Sequence, residues 1–269
     1  MKTAYTIIAT ALAGVVMFLA ACGSSDDGSS TGSTEAGTGT TTQASSTPSS
    51  SATQLIPKGS EHVNVDPKDY TINIDNPYMP LRPGNHWVYR EVENGEIQRV
   101  DVSVTDRVKT VAAGVDARVI RDVVSRQGEP IEVTSDWFAQ DSAGNVWYMG
   151  EDTAEYKNGK VSSTAGSWEA GVKGAEPGVV MPGDPQPGME YREELYKGQA
   201  EDLAKVTGND AKVTVPFGSY TNVVTTTNTT PLEPNVLEHK VYARGIGSVR
   251  EDLVSGGHGR TELIKFTQG

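Results

Sequence analysis

Ser135–Lys160 reads SDWFAQDSAGNVWYMGEDTAEYKNGK. Two aromatic runs, Asp136–Gln140 and Val146–Met149, flank the turn-forming stretch Asp141-Ser142-Ala143-Gly144-Asn145, and Asn158-Gly159 follows shortly after. Aromatic and β-branched residues on both sides of a short Asp/Gly/Asn segment predict a hairpin, and Asn-Gly is the strongest two-residue hairpin signal. A second Asn-Gly pair, Asn94-Gly95, lies upstream. Val100-Asp101-Val102-Ser103-Val104-Thr105 alternates strictly, as a strand with one wet face does, and Val119-Ile120 with Val123-Val124 predicts a longer, partly two-sided strand. Further strands are expected at Ala211–Val215, Tyr220–Thr227, Leu237–Tyr242, Ser248–Val254 and Thr261–Phe266, giving about ten in sequential hairpins without a βαβ rhythm.

The expected fold is therefore mainly β: an antiparallel meander forming a curved sheet or half-barrel, with a β-sandwich as the alternative. Gln199–Val206 (QAEDLAKV) is expected to be its one short helix. Trp168–Gly188 (WEAGVKGAEPGVVMPGDPQPG) carries so much Pro and Gly that a long ordered loop is expected there. Residues 56–269 are thus expected to form a single β-rich domain, with two halves meeting near 169–188 as a variant of the same reading.

The part before it reads as an address. Residues 1–21 have a short basic start at Lys2 and an apolar run from Ile7 to Ala20, too short for a comfortable membrane span, so an export signal is expected. Leu19-Ala20-Ala21-Cys22 has the form of a bacterial lipobox, which makes Cys22 the lipidation site and the first residue of the mature chain. A diacylglyceryl group with more than one hydrocarbon chain gives stable anchoring at about 0.8 kcal/mol per buried methylene. Residues 22–55, almost all Ser, Thr, Gly and Ala after Cys22, are expected to be a disordered tether with a typical reach of about 30 Å. The expected location is the cell envelope, on the extracytoplasmic face of a membrane, with the membrane itself as a partner through Cys22.

The chain carries a formal net charge of −12, which repels phosphate backbones and argues against a nucleic-acid partner. Its single cysteine rules out an intrachain disulfide and a thiolate metal centre. The four histidines, His62, His86, His239 and His258, have no metal-ligand spacing. There is no S-x-x-K pair, no P-loop and no G-x-G-x-x-G after a strand. No catalytic residue, metal site or cofactor is therefore expected.

Two groups of residues remain. Trp87, Trp137, Trp147, Tyr148 and Trp168 are large amphipathic surfaces that could line an apolar cleft or stack on sugar rings, although such residues more often fill a β-protein's core. Asp136, Asp141, Glu151, Asp152, Glu155 and Glu169 cluster in the aromatic-rich hairpin. Alternation is expected to leave them on the wet face, but two carboxylates on facing strands would suffice for glycoside hydrolysis.

The phrases NPYMPLRPGNHWVY, SDWFAQDSAGNVWYMGEDTAEYKNGK, GSWEAGVKGAEPG, VTVPFGSYTNVV and EHKVYARGIGSVRE give the chain its resemblance to a family of bacterial exported β-rich lipoproteins, over about residues 76–266. Val215-Pro216-Phe217-Gly218-Ser219-Tyr220, followed by Tyr242-Ala243-Arg244-Gly245-Ile246-Gly247, is also similar to the last strands of curved-sheet, half-barrel periplasmic lipoproteins. The resemblance implies export, a β-rich fold and a concave face, and carries no activity. The function expected first is non-enzymatic binding of an apolar or amphipathic ligand, such as a lipid, or of an envelope partner. A polysaccharide-binding module with a glycan ligand comes second, and a carboxylate-dependent hydrolase of envelope polymers third.

Overall fold

The structure, a computed structural model, describes residues 55–269. The export signal, Cys22 and the tether up to residue 54 lie outside the described residues. A 3-10 turn at Pro67–Asp69 precedes β1 (Tyr70–Thr71), β2 (His86–Glu93), β3 (Glu96–Thr110), β4 (Asp116–Arg126), β5 (Glu129–Asp141), β6 (Val146–Lys157), β7 (Lys160–Ser163) and β8 (Trp168–Glu169). The second half holds β9 (Glu176–Met181), β10 (Glu190–Arg192), β11 (Glu194–Leu195), β12 (Leu203–Val215), β13 (Gly218–Thr229), β14 (Leu237–Ala243), β15 (Gly247–Ser255) and β16 (Gly259–Thr267).

All of these strands belong to one antiparallel sheet. It runs β12 to β16 in sequence, passes from β16 to β2, continues through β6 and ends on β9 and β11. Its other end is β10. These two ends are neighbours in the chain: Glu190–Arg192 pair with Leu203–Lys205 of β12, whereas Glu194–Leu195 pair with Glu176–Pro177 of β9. One short strap thus touches both edges and draws the sheet into a nearly closed barrel. Gly178 on β9 makes this approach possible, because a Cβ there would overlap the carbonyls of Arg192 and Glu193. Arg192, itself buried, then fixes the strap: its guanidinium donates to the carbonyls of Gly59, Glu61 and Pro177.

The hairpins follow from local chemistry. Asn94-Gly95 and Asn158-Gly159 have positive φ at both positions, as a type I′ turn needs. Gln127-Gly128, between β4 and β5, has the same geometry (φ 54° and 88°) although glutamine is an uncommon left-handed residue, so this hairpin is not announced by composition. In the 141–145 turn, Asp141 accepts hydrogen bonds from the Ala143 and Asn145 backbone N–H groups, from Asn145 Nδ2 and from Trp147 Nε1.

Two expectations are corrected. Residues 199–206 form no helix: the described residues contain none beyond the 3-10 turn, and Leu203–Val206 opens β12. Ala204 and Val206 are buried while Lys205 between them is exposed, a period-2 pattern that pairing with β13 stabilises over weak helical propensity. The Pro/Gly-rich stretch 168–188 contains β8 and β9, with its glycines at turns and at the close approach of Gly178.

Alternation on β2 puts Trp87, Tyr89, Glu91 and Glu93 on the inner face and Arg90 on the outer one. Register carries that face around the barrel. Tyr89 lies opposite Val100, which opposes Val124, which opposes Glu132. In the next row Trp87, Val102, Asp122 and Thr134 follow one another. The interior is therefore part aliphatic and part acidic.

Candidate functional site

The acidic part of the interior has two walls. On the first, Asp136 opposes Ile120 on β4 and Glu151 on β6, and Glu132 and Asp122 stand on the same inward face. All four carboxylates are buried. Tyr148 Oη lies 2.7 Å from Asp136 Oδ1 and 3.1 Å from Glu151 Oε2. Its single proton can serve only one of them at a time. Tyr148 is held in place by stacking on Phe138 (4.7 Å between centroids) and by an edge contact with Trp168 (5.3 Å). Trp168 Nε1 in turn donates to Glu194 Oε2 at 2.7 Å.

Burial governs the protonation of this wall. It pushes the Asp136 carboxyl up to about 7, against the pull of the Tyr148 hydroxyl. Burial, with the charges of Glu155, Asp136 and Glu91, pushes Glu132 to about 8. Asp122 and Glu151 are held well above the usual carboxylate range, first by burial and then by Asp136.

On the second wall Lys240 opposes Thr226 and Glu251 in register. Its Nζ lies 3.7 Å from Glu238 Oε2 and 3.7 Å from Glu251 Oε2, and the side chain is 2% exposed. Burial pushes the ammonium down, but Glu251, Glu238 and Glu193 outweigh it and hold Lys240 protonated. Glu193, on the strap, accepts from Asn228 Nδ2 at 2.8 Å.

Several of these groups lack partners within the protein. Both carboxylate oxygens of Asp122, Asp136 Oδ2, Glu132 Oε2, Glu151 Oε1 and Gln98 Oε1 are buried acceptors without a hydrogen bond, and Tyr191 Oη and Lys240 Nζ are buried without one as well. Among the described residues, no three or more His, Cys, Asp or Glu side chains converge as a metal site requires.

The residues singled out from sequence divide in an unexpected way. Trp87, Trp137, Trp147, Tyr148 and Trp168 are all buried, so their ring faces are packed against protein and not offered to solvent. Trp87 packs on Phe266 and donates to the Ile246 carbonyl, and Trp147 meets Tyr70 edge-on. The carboxylates expected on the wet face do not stay together. Asp136 and Glu151 point inward and are buried, Asp152 is exposed, and Asp141 organises its turn. Glu169 pairs with Lys109 at 3.1 Å and accepts from the Ala112 N–H. The reversal has a simple cause: a barrel needs an inner face, and alternation sends every second residue there whatever its charge. Glu91, Asp122, Lys240 and Glu251 were not marked by sequence at all. The available signal was alternation itself, since Tyr89-x-Glu91-x-Glu93 shares one face with Trp87.

Comparison with family models gives no match, and neither does comparison with curated proteins. Among solved structures, the chain is similar to a protein from Bacteroides fragilis described as exported with a YmcC-like fold, at 14% identity and a TM-score of 0.41, over 72% of this chain and 100% of that one. It is also similar to a protein described as a lipoprotein from Parabacteroides distasonis, at 12% identity and a TM-score of 0.39, over 71% and 99% of the two chains.

Proposed function

We propose that this is an exported binding protein, held at the cell envelope by lipid on Cys22, whose barrel interior takes a small ligand rich in hydrogen-bond donors. The observation that carries the reading is the set of buried oxygens without partners: both of Asp122, Asp136 Oδ2, Glu132 Oε2, Glu151 Oε1 and Gln98 Oε1. Buried polar atoms in folded proteins almost always have partners, and leaving one unmet costs about 1–3 kcal/mol. Each neutral carboxyl brings one proton to two oxygens, so acceptors still outnumber donors, and an amine- or hydroxyl-bearing ligand is their chemical complement. Val100, Val102, Val104 and Ile120 on the same inner face suit an apolar flank, which makes an amphipathic ligand a good fit. The 56–269 domain would work as one body behind the tether, with Cys22 setting its location and the tether its reach.

Native mass spectrometry of the full chain, purified in detergent from its own host's membranes, tests both parts separately. We expect a small molecule that leaves on unfolding, and a mature chain that starts at an acylated Cys22. A bare mass would sink the binding reading, and a free Cys22 thiol would sink the anchor.

A further inference from the structure

We infer that a groove on the outer face of the barrel, across β2, β14, β15 and β16, is a site for the phosphate group of a small organic molecule. The inference stands apart from the reading of the interior, since it concerns the opposite face of these strands and a ligand of opposite charge.

The groove holds about 710 Å³, within the range of roughly 300–1,000 Å³ usual for small-molecule sites. Register explains its lining. On the outer face Arg250 of β15 opposes Glu262 of β16, which opposes Arg90 of β2. In the neighbouring row Asp252 opposes Arg260 of β16 on one side and His239 of β14 on the other. His258 joins the lining from the β15–β16 turn. The groove therefore presents three arginines and two histidines against two carboxylates, in a chain whose formal net charge is −12.

Two observations point this surface at an anion. The first is that Arg250 and Arg260 share one carboxylate: Arg250 Nε lies 2.7 Å from Asp252 Oδ2, and Arg260 Nε lies 2.7 Å from Asp252 Oδ1. One negative charge cannot balance two positive ones. Arg250 Nη2 also donates to Asp252, at 3.0 Å, which leaves Nη1 of Arg250 and both Nη groups of Arg260 for a further acceptor. The second is that Arg90 stands directly opposite Arg99 across β2 and β3, a like-charge pair that costs stability. Arg99 is relieved by Asp101, which accepts from its Nε at 2.6 Å and its Nη2 at 2.7 Å. Arg90 has no such relief: it is exposed and forms no ion pair among the described residues, although Glu262 lies opposite it on β16. Folding gains nothing from an unpaired cation set against another cation, whereas an anion site does. Guanidinium forks arriving from β2, β15 and β16 suit the several oxygens and roughly two negative charges of a phosphate better than a lone carboxylate. A long polyanion fits less well, because it would run past the groove onto an acidic chain.

The test is isothermal titration of the full chain in non-ionic detergent at low salt, with glucose 6-phosphate, glucose, citrate and monomeric dihexanoyl-phosphatidylglycerol. We expect glucose 6-phosphate to bind at one site and glucose to be silent. Arg90→Gln and Arg260→Gln should each weaken binding about tenfold, the effect of losing one charged hydrogen bond. Lys205→Gln removes the same charge from exposed β12, outside the groove, and should leave binding unchanged. Arg90→Gln should also hold or raise the urea midpoint, because it ends the clash with Arg99. Circular dichroism checks folding, and if Arg260→Gln does not fold, Arg90→Gln decides. Binding of the phosphatidylglycerol with the sugar phosphate silent supports the site and gives its source as a lipid headgroup; the reverse supports a soluble phosphate ester. Citrate binding as tightly as either phosphate overturns the proposal in favour of an undiscriminating positive surface. A loss in Lys205→Gln equal to that in Arg90→Gln, a lowered midpoint in Arg90→Gln, or silence from both phosphates overturns it as well. None of these outcomes touches the interior reading, which the co-purified mass decides.

Discussion

Tyr148 joins the aromatic core to the buried acids. It stacks on Phe138, meets the edge of Trp168 and places its hydroxyl between Asp136 and Glu151. Tyr148→Phe keeps the ring and removes the hydroxyl that the two carboxylates share. We expect it to cost about 1–3 kcal/mol in urea unfolding, with the ring contacts preserved in near-UV circular dichroism. Tyr148→Ala should cost about 3–5 kcal/mol, because the ring's burial goes as well. Equal losses for the two variants would mean that the hydroxyl is idle. In the sequence Tyr148 stood out only as one more aromatic in a rich run. Nothing local tells a core ring from one that also carries a buried acid pair, because the pair comes from strands that meet only in the folded sheet.

At the scale of elements, closure depends on the strap 190–195 and its seat on β9. Gly178→Ala would place a methyl group on the Arg192 and Glu193 carbonyls. We expect a loss of about 1–3 kcal/mol from overpacking, together with faster amide exchange confined to β9, β10, β11 and β12. Gly159→Ala, at an open turn with φ +70°, should cost about 1–2 kcal/mol and leave those strands protected. Exchange that rises evenly over the sheet in Gly178→Ala would show that the strap is not the seam. The hairpins at Asn94-Gly95 and Asn158-Gly159 were legible because two residues determine such a turn. Strap, β9 and the start of β12 were not: their pairings are long-range and their local composition points to loop and helix. The acidic inner face was hidden for a related reason. Alternation tells which residues share a side, but only closure tells which side is inside.

For the whole molecule, an interior of neutralised acids ties stability to pH. Asp136 is raised to about 7 and Glu132 to about 8 in the folded chain, far above the 3.8 and 4.5 they have when exposed. Between about pH 4 and 8 the unfolded chain therefore releases protons that the folded chain keeps, so stability falls as pH rises through that window. Each group that stays neutral contributes a slope on the order of 1.4 kcal/mol per pH unit. Above about pH 8 the two groups ionise in the folded state too, and their part of the slope flattens. The lowered carboxyls, Glu61 and Glu190, are fully exposed and screened, so they oppose this only weakly. Urea midpoints at pH 5, 6.5 and 8 should descend in that order, and Glu132→Gln with Asp136→Asn should flatten the descent, since amides keep the shape without a titrating proton. A wild-type midpoint that holds level or climbs from pH 5 to pH 8 would mean that the interior already carries its counter-charges.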